Sequence, residues 1–173
     1  MAYDTRVRGG EARRWSLDVT EVEEGWTGSG KDWRLMAFRV DHQPVDQAFG
    51  YRFDQDNSSL VISGDTRPCD NILARSEGVS LLVHEAYLAR SLAKDLAGAT
   101  TDAERARVRL LSDYHTSSIE VGTIAASANA RQLVLSHIYL GRSWPDQPQD
   151  FLVDVRPNFR AVTVGEDLMT FTI

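Results

Sequence analysis

The stretch of sequence that decides the fold covers residues 60–84 and reads LVISGDTRPCDNILARSEGVSLLVH. It begins with an apolar run that stops at a glycine and Asp65, as a buried strand stops at the edge of a sheet. Residues 70–77 then predict a short helix, capped by its first aspartate and ended by Gly78. The apolar residues 80–84 predict a second buried strand. A strand–helix–strand unit of this kind indicates an α/β fold.

The sequence before this unit is rich in predicted strands. Apolar and polar residues alternate over 16–22, a glycine-rich connection follows over 25–30, and residues 33–40 predict the next strand. Two further strands are predicted over 51–53 and 60–63, separated by a polar turn. This half of the chain therefore predicts antiparallel strands.

The sequence after the unit alternates between helices and strands. Ser117 and Glu120 have the spacing of a capping box at the start of a helix. The other elements predicted here are a helical region broken near Gly98 and ending near Tyr114, a strand over 132–136, a helix over 148–156, and a terminal hairpin of 160–164 with 168–173.

The composition is that of a single globular domain. The chain has 173 residues, 42% of them hydrophobic, and a formal net charge of −6. That hydrophobic fraction excludes a disordered chain, and no apolar run approaches the roughly 20 residues that a membrane-spanning helix needs. Because the bases are scattered, a dedicated polyanion binder is not favoured. With no apolar segment behind the first residues, we expect a cytoplasmic location.

Candidate metal ligands occur where predicted strands end. The single cysteine, Cys69, excludes a cysteine-based zinc site and an internal disulfide. A lone histidine or an aspartate after glycine is usually a packed residue or a turn residue. Here, however, every histidine and Asp65 stand at a strand end or before a helix, and imidazole with carboxylate suits zinc, iron or manganese. The four histidines are His42, His84, His115 and His137.

Six blocks of sequence occur in the order found in a known family. Together they resemble the metallo-β-lactamase-fold hydrolases, in the branch of ribonuclease Z and arylsulfatase-like enzymes. The resemblance implies half of an αββα sandwich, with a mixed sheet and helices on one face. The blocks are VDHQPV (40–45), SGDTRP (63–68), LVHEA (82–86), YHTS (114–117), LVLSH (133–137) and VGEDLM (164–169).

The resemblance also implies a role for each candidate residue. His42 and His137 match metal-binding histidines, and Asp65 matches the carboxylate that bridges two divalent metal ions, zinc being expected and manganese or iron being alternatives. Such ions lower the pKa of a shared water, whose hydroxide then attacks an ester. Glu85 matches the group that orients His115, which hands a proton to the leaving oxygen. His84 packs against the site or holds it in place.

One motif of that family is missing. The family's two-metal centre also uses an H-x-H-x-D-H motif, whose histidines would fall on Ala37 and Arg39 here. We therefore expect residues 1–173 to be one domain, the C-terminal part of the fold, inactive alone. Three explanations are a part of a longer enzyme, one half of a split enzyme, or a degenerate binding or assembly module. The first is favoured, because a decayed domain has no reason to keep the five candidate residues together.

The substrate is expected to be a small ester. Only 23 positions separate His42 from Asp65, which leaves no room there for the tRNA-binding arm that ribonuclease Z enzymes carry. With the net charge of −6, this favours a sulfate or phosphate ester, as in arylsulfatase-like enzymes, over precursor tRNA. Ribonuclease Z activity is the alternative. The expected partners are a homo-oligomer or the missing N-terminal half, and no membrane.

Overall fold

A mixed sheet forms the centre of the molecule in the computed structural model, which describes residues 18–142 and 146–173. Its seven strands lie in chain order, antiparallel from the first to the fourth and parallel from the fourth to the seventh. They are β1 (Thr27–Ser29), β2 (Trp33–His42), β3 (Val45–Gln55), β4 (Ser58–Ile62), β5 (Leu81–Tyr87), β6 (Gln132–Tyr139) and β7 (Val162–Val164).

Helices connect the parallel strands, since a parallel pair needs a crossover. The crossover from β4 to β5 is one short helix, and the crossover from β5 to β6 contains three. The helices are α1 (Asp70–Arg75), α2 (Ala89–Gly98), α3 (Asp102–Tyr114), α4 (Ser118–Ser127) and α5 (Phe151–Val155), the last preceded by a 3₁₀ turn at Pro148–Asp150.

The hydrophobic core lies between one face of the sheet and helices α1, α4 and α5. Alternate strand residues such as Val61, Leu82 and Leu133 are buried there against Ile72 and Phe151. The predicted α/β class and the helices on one face are therefore confirmed. Capping boxes open α3 at Thr101 and α4 at Ser117, the second as the sequence predicts.

The opposite face of the sheet carries a row of apolar side chains. Leu35 pairs with Phe53, Phe53 with Leu60, and Tyr51 with Ile62, so all five point to the face away from the core. Tyr51 is 36% exposed and Ile62 45% exposed. An exposed apolar stripe on a sheet is the mark of a surface that packs against something else.

Three local predictions are wrong. Residues 18–22 form no strand, and residues 16–17 lie outside the described residues. The strand that pairs with β2 is β1, which lies inside the predicted glycine-rich connection 25–30, and the chain reverses between them at residues 30–32. The predicted terminal hairpin does not form, because β7 pairs in parallel with β6 and residues 168–173 are in no strand. Asp70 is the first residue of α1, whose cap is Cys69.

None of the helices described is long and apolar enough to cross a lipid bilayer. The longest, α3, has 13 residues, several of them charged.

Candidate metal centre

The candidate site lies at the edge of the sheet where the parallel strands end. Asp65 follows β4, Glu85 lies near the end of β5, and His137 lies near the end of β6. His42 ends β2, and His115 directly follows α3. Because parallel strands end at the same edge, residues far apart in sequence meet there.

A tight backbone contact positions Asp65. Gly64 has a φ of +62°, and a Cβ at this position would lie 2.5 Å from the carbonyl oxygen of Phe49. Only glycine combines that conformation with that approach. As the sequence predicts, Gly64 allows the backbone to approach another group closely, and Asp65 is held at the sheet edge.

Three candidate ligands share one small volume. His42, Asp65 and His115 each offer a ligand atom, and these atoms all lie within 4.8 Å of one another. The rings of His42 and His115 are 4.8 Å apart between centroids. Atoms bound to one ion at about 2.1 Å stand at most about 4.2 Å apart, so small side-chain movements would close this set around a cation. The donor set therefore fits a divalent metal ion.

His137 approaches the same group from the other side. Its Nε2 lies 3.5 Å from Oδ2 of Asp65, and its ring centroid is 6.5 Å from that of His115. The register between β5 and β6 shifts here, so His137 is an extra residue opposite no partner and has a φ of +45°. This β-bulge turns the side chain toward Asp65. The structure thus brings together the three predicted metal ligands and His115.

The other ring nitrogen of two histidines is already engaged. Nδ1 of His42 lies 3.0 Å from the carbonyl oxygen of Tyr114, which can only accept, so Nδ1 is the donor of this hydrogen bond. Nδ1 of His115 lies 3.2 Å from Oε1 of Glu85. Each imidazole is therefore oriented, with Nε2 left as its free nitrogen.

Glu85 connects three separate segments through one oxygen atom. Its Oε1 accepts from the backbone amide of Thr66 at 3.2 Å and from that of Thr116 at 3.0 Å, besides contacting His115. The hydrogen bond to the buried Glu85 raises the pKa of His115, with desolvation partly opposing it. His115 is therefore suited to carry a proton near neutral pH.

His84 lies inside the core and outside this cluster. It is completely buried, and its Nδ1 donates to the carbonyl oxygen of Glu85 at 2.7 Å. Its Nε2 has no hydrogen-bond partner among the described residues. Burial lowers the pKa of His84, so the ring is neutral at pH 7. The structure thus places His84 as a packing residue that holds the backbone beside Glu85.

Sequence reasoning missed the groups that hold the site in place. Thr66 and Thr116 bind Glu85 through their backbone amides, and the hydroxyl of Thr116 donates to the carbonyl oxygen of Thr66 at 2.7 Å. Backbone partners carry no sequence signal. The only hint is that each threonine directly follows a candidate residue, Asp65 or His115.

A groove leads away from His115 along α3. Its lining includes the apolar residues Val108 and Leu111 on the helix, the tyrosines Tyr114 and Tyr139, and the carboxylate of Glu104. It also contains Arg107 and Arg142, whose guanidinium groups make no hydrogen bond or ion pair within the described parts of the chain. These side chains are further candidate functional residues that sequence reasoning did not identify.

Ribonuclease Z proteins of mycobacteria are among the curated proteins that this chain resembles in sequence. No protein-family model matches the chain. A ribonuclease Z of Mycobacterium sp. (strain KMS) is 35% identical over 155 residues, which are 88% of this chain and 50% of the relative. The chain spans about half the length of the curated relatives it matches.

Two solved structures share the fold. The metallo-β-lactamase-fold protein YhfI from Bacillus subtilis matches with a TM-score of 0.61 and 20% identity over 84% of this chain and 52% of its own. Human tRNase Z, short form, matches with a TM-score of 0.53 and 23% identity over 84% of this chain and 44% of its own. The fold class predicted from the sequence is confirmed by these matches.

Proposed function

We propose that this chain, which has the metallo-β-lactamase fold and resembles ribonuclease Z in sequence, is part of a metal-dependent phosphodiesterase that processes the 3′ end of precursor tRNA. The observation that carries the proposal is the convergence of Asp65 with three imidazoles at one sheet edge. The sequence relation to ribonuclease Z supports an RNA substrate more than the sulfate or phosphate ester that the sequence alone favours.

In this proposal, His42, Asp65 and His137 hold divalent metal ions. When bound, the ions supply a hydroxide at neutral pH and stabilise charge on the phosphate. His115, oriented by Glu85, carries a proton at Nε2 to the leaving oxygen. The carboxylate keeps the imidazole turned toward the cluster and favours its protonated form.

Further ligands are needed for a second ion. Catalytic zinc sites use about three protein ligands each, and the cluster contains four groups, counting His115. The sequence contains no H-x-H-x-D-H motif. We infer that another segment or polypeptide supplies it, by packing on the apolar sheet face that includes Tyr51 and Ile62. The expected one-domain, half-fold organisation of residues 1–173 remains part of this proposal.

The groove along α3 favours RNA over a small ester. Arg107 and Arg142 carry positive charges without ion-pair partners within the described residues, in a chain whose net charge is −6. Such arginines suit phosphate groups, and the tyrosines beside them can stack on bases. An arm between His42 and Asp65 is absent, because β3 and β4 fill this interval. The groove is the alternative contact surface for an RNA.

The test is cleavage by the natural protein that carries this sequence, with the polypeptides that copurify with it. We expect endonucleolytic cleavage of a 3′-extended tRNA that needs a divalent metal and is lost in Asp65→Ala and His137→Ala. Arg107→Ala should weaken RNA cleavage but leave hydrolysis of a bis-aryl phosphate unchanged. Hydrolysis of an aryl sulfate without any cleavage of tRNA would refute the proposal and favour the small-ester alternative.

A further inference from the structure

The chain that follows β6 lies closely against helix α2. Gly141 has a φ of +80°, and a Cβ at this position would lie 2.7 Å from Cβ of Ser91 and 3.1 Å from Oδ2 of Asp95. The same carboxylate oxygen accepts a hydrogen bond from the backbone amide of Arg142 at 2.8 Å. Because residues 91 and 95 are about one helical turn apart, they lie on the same face of α2. This face therefore fixes the backbone at residues 141 and 142.

Arg142 carries its charge into the groove that leads away from His115. The buried Leu92 of α2 and Tyr139 of β6 line this groove together with Arg142. The backbone amide of Leu88, at the start of α2, donates to the carbonyl oxygen of Tyr139 at 2.8 Å. Arg142 thus combines a backbone that α2 holds in place with a guanidinium that has no partner among the described residues.

We propose that Asp95 is a positioning residue for Arg142, whose guanidinium it holds in the groove, where this group contacts a phosphate of the bound RNA. The inference rests on the proposed function, because it needs an RNA in the groove. A side chain whose backbone is already fixed loses less conformational freedom when it binds. A carboxylate thereby assists the binding of a polyanion, although its own charge opposes that binding.

The charge of Asp95 allows a test by the direction of the effect. Removal of a carboxylate beside an RNA-binding groove should by itself strengthen the binding of RNA, because a repulsion of phosphate groups is removed. Loss of the position of Arg142 should instead weaken the binding, because a phosphate contact is lost. The two explanations therefore predict opposite changes.

A second carboxylate provides the matched control. Asp146 accepts hydrogen bonds from the hydroxyl of Ser91 at 2.5 Å and from the ammonium group of Lys94 at 2.7 Å, so it also holds the chain after β6 against α2. It is not one of the described residues that line the groove. Asp146→Ala removes the same charge and another contact with α2, but it leaves the hydrogen bond between Asp95 and Arg142 in place.

The test is steady-state cleavage of a 3′-extended tRNA by the natural protein that carries this sequence. Asp95→Ala should raise KM about fivefold or more and change kcat less than about twofold, as expected for a lost phosphate contact. Asp95→Asn keeps an oxygen that accepts from the amide and should leave KM within about twofold of the unaltered value. Asp146→Ala should also change KM less than about twofold. A lower KM in Asp95→Ala, or equal rises in the two alanine variants, would overturn the proposal.

A double variant shows whether Asp95 acts through Arg142. Added to Arg142→Ala, Asp95→Ala should change KM less than about twofold, because the phosphate contact is already lost. If the two substitutions raise KM by factors that multiply, Asp95 acts independently of Arg142 and the proposal is wrong.

A measurement on the unaltered protein applies even where a variant does not fold. The hydrogen bond to Asp95 should slow hydrogen exchange at the Arg142 amide by about tenfold or more relative to an open amide. Rapid exchange at this amide in a protein that cleaves tRNA would overturn this inference and leave the proposed function standing. Absence of tRNA cleavage by the unaltered protein would refute the proposed function, and the phosphate contact of Arg142 with it.

Discussion

Gly64 lies so close to the carbonyl oxygen of Phe49 that a Cβ on it would come within 2.5 Å of that oxygen. The neighbouring atom belongs to the backbone of β3, which cannot move without disturbing its pairing with β2 and β4. The position of Asp65, the next residue, thus depends on the absence of a single methyl group.

Substitution of this glycine should be costly. Gly64→Ala is expected to lower the free energy of unfolding by more than about 2 kcal/mol, because the left-handed conformation alone costs about 1–2 kcal/mol and the clash adds to it. Gly78→Ala is the matched control, since Gly78 has a similar φ of +63° but nothing within 4 Å of an added Cβ. Urea denaturation gives the free energy of unfolding of both variants. Equal losses would show that the close contact with Phe49 does not add to the destabilisation of Gly64→Ala.

Two replacements of His137 should differ in stability but not in metal binding. Its φ of +45° disfavours any residue with a side chain, so His137→Gly is expected to be more stable than His137→Ala by about 1 kcal/mol. Both variants lack the imidazole and should bind metal equally. Thermal and urea unfolding of the metal-free variants provide the comparison. An alanine variant as stable as the glycine variant would argue against the bulge geometry.

The pKa of His115 should depend on Glu85. The hydrogen bond to the Glu85 side chain is the main reason why the pKa of His115 is raised above its usual value. Glu85→Gln retains a side-chain oxygen for the amides but removes the charge, so the pKa of His115 should fall. NMR titration of the metal-free protein gives this value directly. An unchanged pKa would mean that Glu85 does not control the protonation of His115.

Acid should destabilise the protein through His84. Because burial lowers its pKa in the folded state, the unfolded chain takes up this proton at a higher pH than the folded chain does. The stabilising contribution is complete above the unfolded value of about 6.5 and is lost as the pH falls toward the lower folded pKa, by at most about 1.4 kcal/mol per pH unit.

His115 works in the opposite direction, because its raised pKa adds stability at low pH that is lost as the pH rises. The variant His84→Gln still contains His115. The contribution of His115 therefore cancels when the variant is compared with the unaltered protein. The free energy of unfolding should therefore decrease more between pH 7.5 and pH 5.5 in the unaltered protein than in the variant. Parallel pH dependence in the two proteins would rule out a buried neutral His84.

The sequence predicts the class of the fold and most of its interior elements, because these follow from local patterns. Residues 60–84 predict two buried strands and the helix between them, and the structure contains β4, α1 and β5. The prediction of a terminal hairpin is wrong because a local sequence pattern can identify a strand without identifying the strand with which it pairs. The partner of β7 is β6, reached through a crossover that no local pattern specifies.

The candidate site is predictable in its residue types and not in its geometry. Strand-end positions single out Asp65 and the histidines, whereas the bulge at His137 arises only from the pairing of β6 with β5. The backbone amides of Thr66 and Thr116 gain their role only once the sheet has formed. The roles assigned to His42, Asp65, Glu85, His115 and His137 remain predictions for the experiments above.

The triple contact at Oε1 of Glu85 links folding to the readiness of the site. The amides of Thr66 and Thr116 come from positions 19 and 31 residues away along the chain, so neither can reach this oxygen before β4, β5 and their crossovers are in place. No single loop can therefore form this set of hydrogen bonds to Glu85 by itself. Hydrogen exchange at these two amides should report the same opening event, and the imidazole beside them loses its orientation whenever that event occurs.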